Sequence, residues 1–184
     1  MEFAVAHVPG SIHIALSGQY ASWAARILGL DKRIILVGED ADHLRESQLR
    51  LARVGIEKAD AYLQDGISGW VQSGYALDYI PQISVLEFAD LREQEKDGIA
   101  VLDVREAGEV ASGAIDRSVR IPLGQLTART HELDRDKLLV VHCKSGYRSS
   151  IATSILRRDG FRNVANLTGG FDAWHAAALS SASL

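Results

Sequence analysis

The sequence is short of several residue types, and each shortage excludes a class of protein. Its 184 residues include one cysteine, so no disulfide bond can form within the chain. Its 20 basic residues are outnumbered by 24 acidic ones, which leaves no surplus positive charge to attract nucleic acid. No apolar run is long enough to span a bilayer, and the N-terminus lacks the pattern of a secretion signal. These shortages favour a cytoplasmic protein with neither a membrane nor a nucleic acid as partner.

The sequence contains two copies of one pattern. Residues 2–16 align without a gap with residues 109–123, and L-Q-D-G-I-S-G-W (63–70) aligns with L-T-G-G-F-D-A-W (167–174). Two shorter matches lie between these in the same order, which predicts two copies of one structural unit. Short apolar runs alternate with amphipathic segments in both copies. This alternation favours an α/β fold in which helices flank a mainly parallel central sheet.

We expect residues 1–74 to form the first unit, residues 75–82 a linker, and residues 83–180 the second unit. The second copy opens with a helix that the first copy lacks, so the first unit is predicted to be truncated at its N-terminus. In the first copy we predict strands near 11–14, 33–37 and 60–63, and helices near 19–28, 41–53 and 67–73. In the second copy we predict strands near 99–103, 118–120, 138–142 and 164–166, and helices near 85–95, 124–130, 149–158 and 171–177.

The single cysteine, Cys143, lies at a position that favours chemistry. It follows the apolar run 138–141 and precedes an amphipathic stretch, which predicts a strand, a tight loop and a helix. Such a loop can aim backbone N–H groups, a helix N-terminus and the Arg148 side chain at an anion on the sulfur. Cationic neighbours such as Lys144 favour the thiolate, which is the nucleophilic form of cysteine. The pattern therefore predicts a nucleophilic thiol.

The residues around Cys143 are candidates for holding a substrate. Gly146 permits the backbone curl of the loop. We expect Asp103 to be a structural partner of Arg105. The Arg105 side chain is expected to contact both Asp103 and the substrate. Lys144 faces either the substrate or the solvent. The predicted substrate-binding residues are Lys144, Ser145, Gly146, Tyr147, Arg148, Ser149 and Arg105. The six histidines show no paired ligand spacing, so neither a metal nor another cofactor is expected in this chain.

The first copy has no equivalent nucleophile. Position 143 aligns with Gly38 or Glu39, in an acidic stretch that would repel an anion. We therefore expect the first unit to be catalytically silent.

The second copy resembles the rhodanese family of thiosulfate sulfurtransferases. The resemblance is carried by D-V-R-E (103–106), residues 109–123, V-V-H-C-K-S-G-Y-R-S (140–149) and G-G-F-D-A-W (169–174), and extends more weakly over residues 2–74. It implies two rhodanese-like units. Similar tandem units also follow metallo-hydrolase domains that act on persulfides, so a longer parent chain with such a domain is one expectation. One departure is G-A-I-D-R-S at 113–118, where the family often has G-H-I-P-G-A.

The resemblance implies a sulfurtransferase that works through a persulfide on Cys143. The expected donor is a small anionic sulfur compound, either thiosulfate or a persulfide, and the expected acceptor is cyanide or a thiol. One alternative is a non-catalytic docking or regulatory module. A phosphatase or arsenate reductase of the same fold is less favoured, because the phosphatase loop is one residue longer than the stretch from Cys143 to Arg148.

Overall fold

A computed structural model describes residues 2–95 and 97–177 of the chain. In chain order, the elements are α1 (Glu2–Val5), α2 (Tyr20–Leu28), β1 (Ile35–Leu36), α3 (Ala41–Ala52), β2 (Ala61–Tyr62), α4 (Gly66–Gln72), β3 (Gln82–Ile83), α5 (Val85–Gln94), β4 (Ile99–Asp103), α6 (Ala107–Val110), β5 (Val119–Arg120), α7 (Leu126–Arg129), β6 (Leu138–His142), α8 (Tyr147–Arg158), β7 (Val164–Leu167) and α9 (Gly170–Ala176). Short 3-10 helices at Leu123–Gln125 and Thr130–Glu132 flank α7.

Five strands of the second half form one parallel sheet in the order β3-β7-β6-β4-β5. Val140 lies at its centre, in register with Val101 on one side and Ala165 on the other. The central strands are apolar on both faces because helices cover both faces of a parallel sheet. The prediction of an α/β fold with a mainly parallel sheet is therefore confirmed.

Helices pack against this sheet through buried side chains. One face packs in a core that includes Phe88 of α5 and Trp174 of α9, whose rings lie 5.2 Å apart. Helix α8 packs against β6 and β7, and its apolar residues Ile151 and Leu156 are fully buried. The α8 helix and the loop before it are thus fixed on the central strands.

Residues 2–5 and 10–13 belong to the same compact unit as residues 80–95 and 97–177. The His13 backbone N–H donates to Ser154 Oγ at 3.0 Å, and His13 Nδ1 lies 2.7 Å from Ser150 Oγ. Both serines are on α8. The Phe3 ring stacks on His13 with ring centroids 4.7 Å apart. These N-terminal residues therefore support the helix that follows Cys143.

Residues 6–9 and 14–79 form the other compact unit. Strands β1 and β2 pair in parallel, and helices α2 and α3 pack against each other. The core contains Tyr20, Ala24, Leu51 and Ile56. Helix α3 begins where Asp40 accepts a hydrogen bond from the His43 N–H at 2.8 Å, which is an ordinary N-terminal cap.

The prediction of a strand near residues 11–14 is wrong, since these residues are irregular. Their counterpart in the second copy, β5, is a strand because Val119 and Arg120 pair with Leu102 and Asp103 of β4. In the described residues 2–79, no strand precedes β1, so the segment has no neighbouring edge to pair with. The His13 N–H bonds to a serine side chain instead.

Most other predicted elements are confirmed, with shifts of at most two residues at their ends. The strand predicted near 138–142 has those bounds, but the helix predicted near 149–158 begins earlier, at Tyr147. Arg148 and Ser149 therefore lie in the first turn of α8.

Throughout the described residues, every helix falls short of the length and apolar character that a membrane span requires.

Candidate active site

The Cys143 thiol lies immediately after β6, at the carboxyl edge of the parallel sheet. The chain turns at Gly146, with a φ of 122°, and continues into α8 at Tyr147. This φ lies in the region that favours glycine. The Gly146 N–H donates to the Cys143 sulfur at 3.1 Å, and Cys143 is 1% exposed. The loop therefore places a backbone donor on the sulfur, close to a helix N-terminus.

Helix α9 holds the other side of this loop. The Phe171 N–H donates to the Cys143 carbonyl at 2.8 Å, and the Asp172 N–H donates to the Lys144 carbonyl at 3.0 Å. A Cβ added at Gly170 would lie 2.6 Å from the Cys143 carbonyl oxygen and 2.7 Å from that of Lys144. The glycine pair of G-G-F-D-A-W thus allows the start of α9 to approach the loop and engage two carbonyl oxygens that would repel an anion.

Arg148 is held by the carboxylate of Glu109, a pairing that the sequence pattern does not indicate. Its Nη1 and Nη2 donate to Oε2 and Oε1 of Glu109 at 2.6 Å and 2.7 Å. Glu109 Oε2 also accepts the Glu106 N–H at 3.1 Å, within the capping box that opens α6. The hydrogen bonds from Arg148 lower the pKa of Glu109 to about 2. The available signal was the match between Glu109 and Glu2 in the repeat, which carried no information about Arg148.

Asp103 and Arg105 form a buried pair below the loop. Arg105 Nε donates to the Asp103 carboxylate at 3.0 Å, and Arg105 Nη2 donates to it at 2.6 Å. Nη2 also donates to the Gly113 carbonyl at 2.8 Å. The Arg105 guanidinium lies 4.1 Å from the ring centroid of Phe171. The structure therefore places Arg105, which is 3% exposed, underneath the residue that holds the Cys143 carbonyl.

His142, the residue before the nucleophile, is packed inside the fold. It is fully buried, with Nδ1 3.2 Å from the Cys143 carbonyl oxygen and Nε2 3.7 Å from Asp103 Oδ2. Burial lowers the pKa of His142, and this effect outweighs the opposite influence of the Asp103 carboxylate. The ring is therefore a neutral packing group at neutral pH.

The remaining predicted site residues divide into two groups. Lys144 and Ser145 are exposed at the loop, and Tyr147 is half-buried. Ser149 is buried, and its hydroxyl donates to the Gly146 carbonyl at 3.1 Å, so this hydroxyl bonds to the loop itself. The structure thus brings residues 143–149 together around one turn and sets Asp103 and Arg105 beneath it.

The corresponding loop of the first copy borders a hollow of about 250 Å³. Among its lining residues are Glu39, Asp40 and Asp65. The loop has no cysteine, because Cys143 is the only one in the sequence. The lining of this hollow is therefore acidic, whereas a site for an anionic donor needs positive charge.

Comparison with known proteins places this arrangement in a family. The model of the rhodanese-like domain matches residues 1–73 and 84–177. A sulfurtransferase of Allochromatium vinosum is 32% identical over 83 residues, which are 45% of this chain and 78% of that protein. The thiosulfate sulfurtransferase GlpE of Shewanella oneidensis is 34% identical over 83 residues, which are 45% of this chain and 82% of that protein.

A solved structure gives the same result for the fold. The rhodanese-like domain of the Alr3790 protein from Anabaena is 27% identical, with a TM-score of 0.50. The match covers 53% of this chain and 75% of that chain. Since the family model spans both copies, the chain belongs to the rhodanese-like domain family.

Proposed function

We propose that the second unit is a sulfurtransferase that carries sulfane sulfur as a persulfide on Cys143. The observation that carries this proposal is the Gly146 N–H at 3.1 Å from the Cys143 sulfur, in a loop that starts at the carboxyl edge of the sheet. A thiolate and a persulfide are both anions, and the same backbone donor stabilises each of them. The sulfurtransferase names of the relatives from Allochromatium and Shewanella support the same chemistry.

In the first step, the Cys143 thiolate attacks the outer sulfur of a donor such as thiosulfate. A bond forms between the cysteine sulfur and the outer sulfur. The bond from the outer sulfur to the sulfonate sulfur breaks, and its electron pair leaves with sulfite. The product is a Cys143 persulfide anion, so the total charge of minus three is the same before and after the step.

In the second step, an acceptor nucleophile removes the outer sulfur. Cyanide attacks this atom, the bond to the Cys143 sulfur breaks, and thiocyanate leaves while the thiolate is restored. A thiol acceptor would take the sulfur in the same way and become a persulfide. The cycle requires neither a metal nor an organic cofactor, since the cysteine is both the nucleophile and the leaving group.

The first unit has a different role in this proposal. It lacks a cysteine, and its equivalent loop borders the acidic hollow described above. We assign catalysis to the second unit, residues 83–180, and none to the first, residues 1–74. Thiocyanate formation from thiosulfate and cyanide, measured by its coloured iron complex, tests the assignment. Activity is expected for the wild type and should be lost in Cys143→Ser.

One observation favours a second candidate, a non-catalytic docking module. Cys143 is 1% exposed, so a donor reaches the sulfur only if the atoms that cover it move aside. Alkylation by iodoacetamide at neutral pH separates the candidates. A sulfurtransferase requires rapid modification of Cys143 in the folded protein, whereas protection until unfolding would favour the docking module.

A further inference from the structure

Both oxygens of the Glu109 carboxylate are committed to Arg148, the loop cation that would otherwise receive an anionic donor. We propose that Glu109 sets the charge of the donor that the site selects, favouring donors with one negative charge over donors with two. Simple alkyl persulfides and alkanethiosulfonates belong to the first class, and thiosulfate belongs to the second. The inference rests on the proposed function of Cys143 and specifies its donor.

The charges around the loop support this selection. Of the cations considered for the site, Arg105 is paired with Asp103 and Arg148 is paired with Glu109. Lys144 is exposed, and in the described part of the chain no carboxylate is recorded within ion-pair distance of it. A donor would thus meet one unpaired cation, Lys144. One positive charge balances a donor with one negative charge better than a donor with two.

The geometry makes Glu109 a fixed partner of Arg148. The two hydrogen bonds form the forked arrangement in which a guanidinium binds a carboxylate most strongly. Glu109 is also fixed from its own side, because its Oε2 accepts the Glu106 N–H. The Arg148 and Glu109 side chains are 18% and 33% exposed, so solvent screens their charges only in part. Arg148 is consequently not free to bind the oxygens of a donor while this pair is closed.

The size of the effect follows from Coulomb's law. The charges lie several ångströms apart in a partly screened site. Removing the Glu109 carboxylate should therefore raise kcat/KM about five- to tenfold for each additional negative charge on the donor. Glu109 acts here as a positioning residue, since it works through Arg148. A purely structural role would alter transfer from all donors alike and would leave their ratio unchanged.

The test compares two donors that differ by one charge. Thiosulfate is a dianion, whereas methanethiosulfonate is a monoanion that delivers its outer sulfur and releases methanesulfinate with the electron pair. The ratio of kcat/KM for thiosulfate to that for methanethiosulfonate is measured in the wild type and in Glu109→Gln. We expect the ratio to rise about five- to tenfold in the variant.

Glu132→Gln is the matched control. Glu132 also accepts two hydrogen bonds from one arginine, from Nε and Nη2 of Arg129 at 2.6 Å and 2.8 Å, on a different part of the second unit. Its removal changes the net charge equally and should leave the donor ratio unchanged. Glu109→Asp retains the charge and should stay within about twofold of the wild-type ratio. Glu109→Asp also keeps the proposal testable if Glu109→Gln folds poorly. A rise of the donor ratio in Glu109→Asp as large as that expected for Glu109→Gln would overturn the proposal.

Two other results have distinct meanings. An unchanged or lowered ratio in active Glu109→Gln would overturn the role of Glu109 and leave sulfur transfer by Cys143 intact. A wild type that accepts sulfur from neither donor would overturn the proposed function itself, and the assignment of Glu109 with it.

Discussion

The Phe171 N–H donates to the Cys143 carbonyl at 2.8 Å, so the first turn of α9 holds the residue that carries the thiol. This contact requires Gly170, which precedes Phe171 and has a φ of 59°. An alanine there would place its Cβ 2.6 Å from the Cys143 carbonyl oxygen. The second glycine of G-G-F-D-A-W (169–174) therefore has a direct role at the site.

Gly170→Ala should displace the loop. Strain from the positive φ and the close contact should lower the free energy of unfolding by about 2 kcal/mol or more, measured in urea. Sulfur transfer should fall as well, because the Cys143 carbonyl loses its partner. Gly108→Ala is the control, since a Cβ at Gly108 would have no neighbouring atom within 4 Å. Equal behaviour of the two variants would contradict this account of α9.

The Asp103–Arg105 pair should be important for stability. Both side chains are buried, at 0% and 3% exposure, so removing one partner leaves an uncompensated charge inside the fold. We expect Asp103→Ala to lower the free energy of unfolding by about 3–5 kcal/mol. The double variant Asp103→Leu with Arg105→Met should recover part of this loss. If Asp103→Ala costs less than about 1 kcal/mol, the pair is not the buried unit described here.

The Glu109–Arg148 pair should give stability a dependence on acid pH. The folded-state pKa of Glu109, about 2, lies below the ordinary value of 4.5. The contribution of the pair is therefore complete above the unfolded-state pKa and disappears as the pH falls towards 2. Because the pair is partly exposed, we expect it to contribute about 0.5–1 kcal/mol at neutral pH.

Urea unfolding of the wild type and Glu109→Gln at several pH values measures this contribution. The difference between their unfolding free energies should be constant above about pH 5 and should shrink by about pH 3. A difference that does not change with pH would show that the carboxylate is not preferentially ionised in the folded protein.

His142 should add a second pH dependence with its own range. Burial holds its folded-state pKa below the ordinary value of 6.5, so the unfolded chain binds a proton that the folded protein does not. This destabilises the fold as the pH decreases below 6.5, by up to about 1.4 kcal/mol per pH unit until the folded-state pKa is reached. Between about pH 7 and pH 5, the wild type should therefore lose more stability than His142→Gln. Parallel curves for the two proteins would show that His142 is protonated equally in both states.

The sequence predicts the central part of this fold well because its strands are fully buried. Strand β6 has its predicted bounds, since an apolar run between two breaks in the pattern is the usual signal for such a strand. The segment 11–14 aligns with β5 in the repeat but forms no strand, because pairing depends on a neighbouring edge that local sequence does not describe. The start of α8 differs by two residues, which places Arg148 in its first turn.

The site was predictable where its residues are consecutive. Residues 143–149 lie around one turn, as their spacing indicates. Glu109 and the N–H of Phe171 come from distant parts of the chain, and only the tertiary fold brings them to the loop. The expected pairing of Asp103 with Arg105 is present, but Arg105 lies beneath the loop with its charge neutralised. The positive surroundings expected from sequence are thus reduced by two carboxylates.

The decisive measurement of a persulfide on Cys143 is intact-protein mass spectrometry after incubation with excess thiosulfate or methanethiosulfonate. We expect a gain of one sulfur atom on the wild type, its removal by cyanide, and no gain on Cys143→Ser. Absence of added sulfur on the wild type with both donors, or an equal gain on Cys143→Ser, would contradict a persulfide at Cys143.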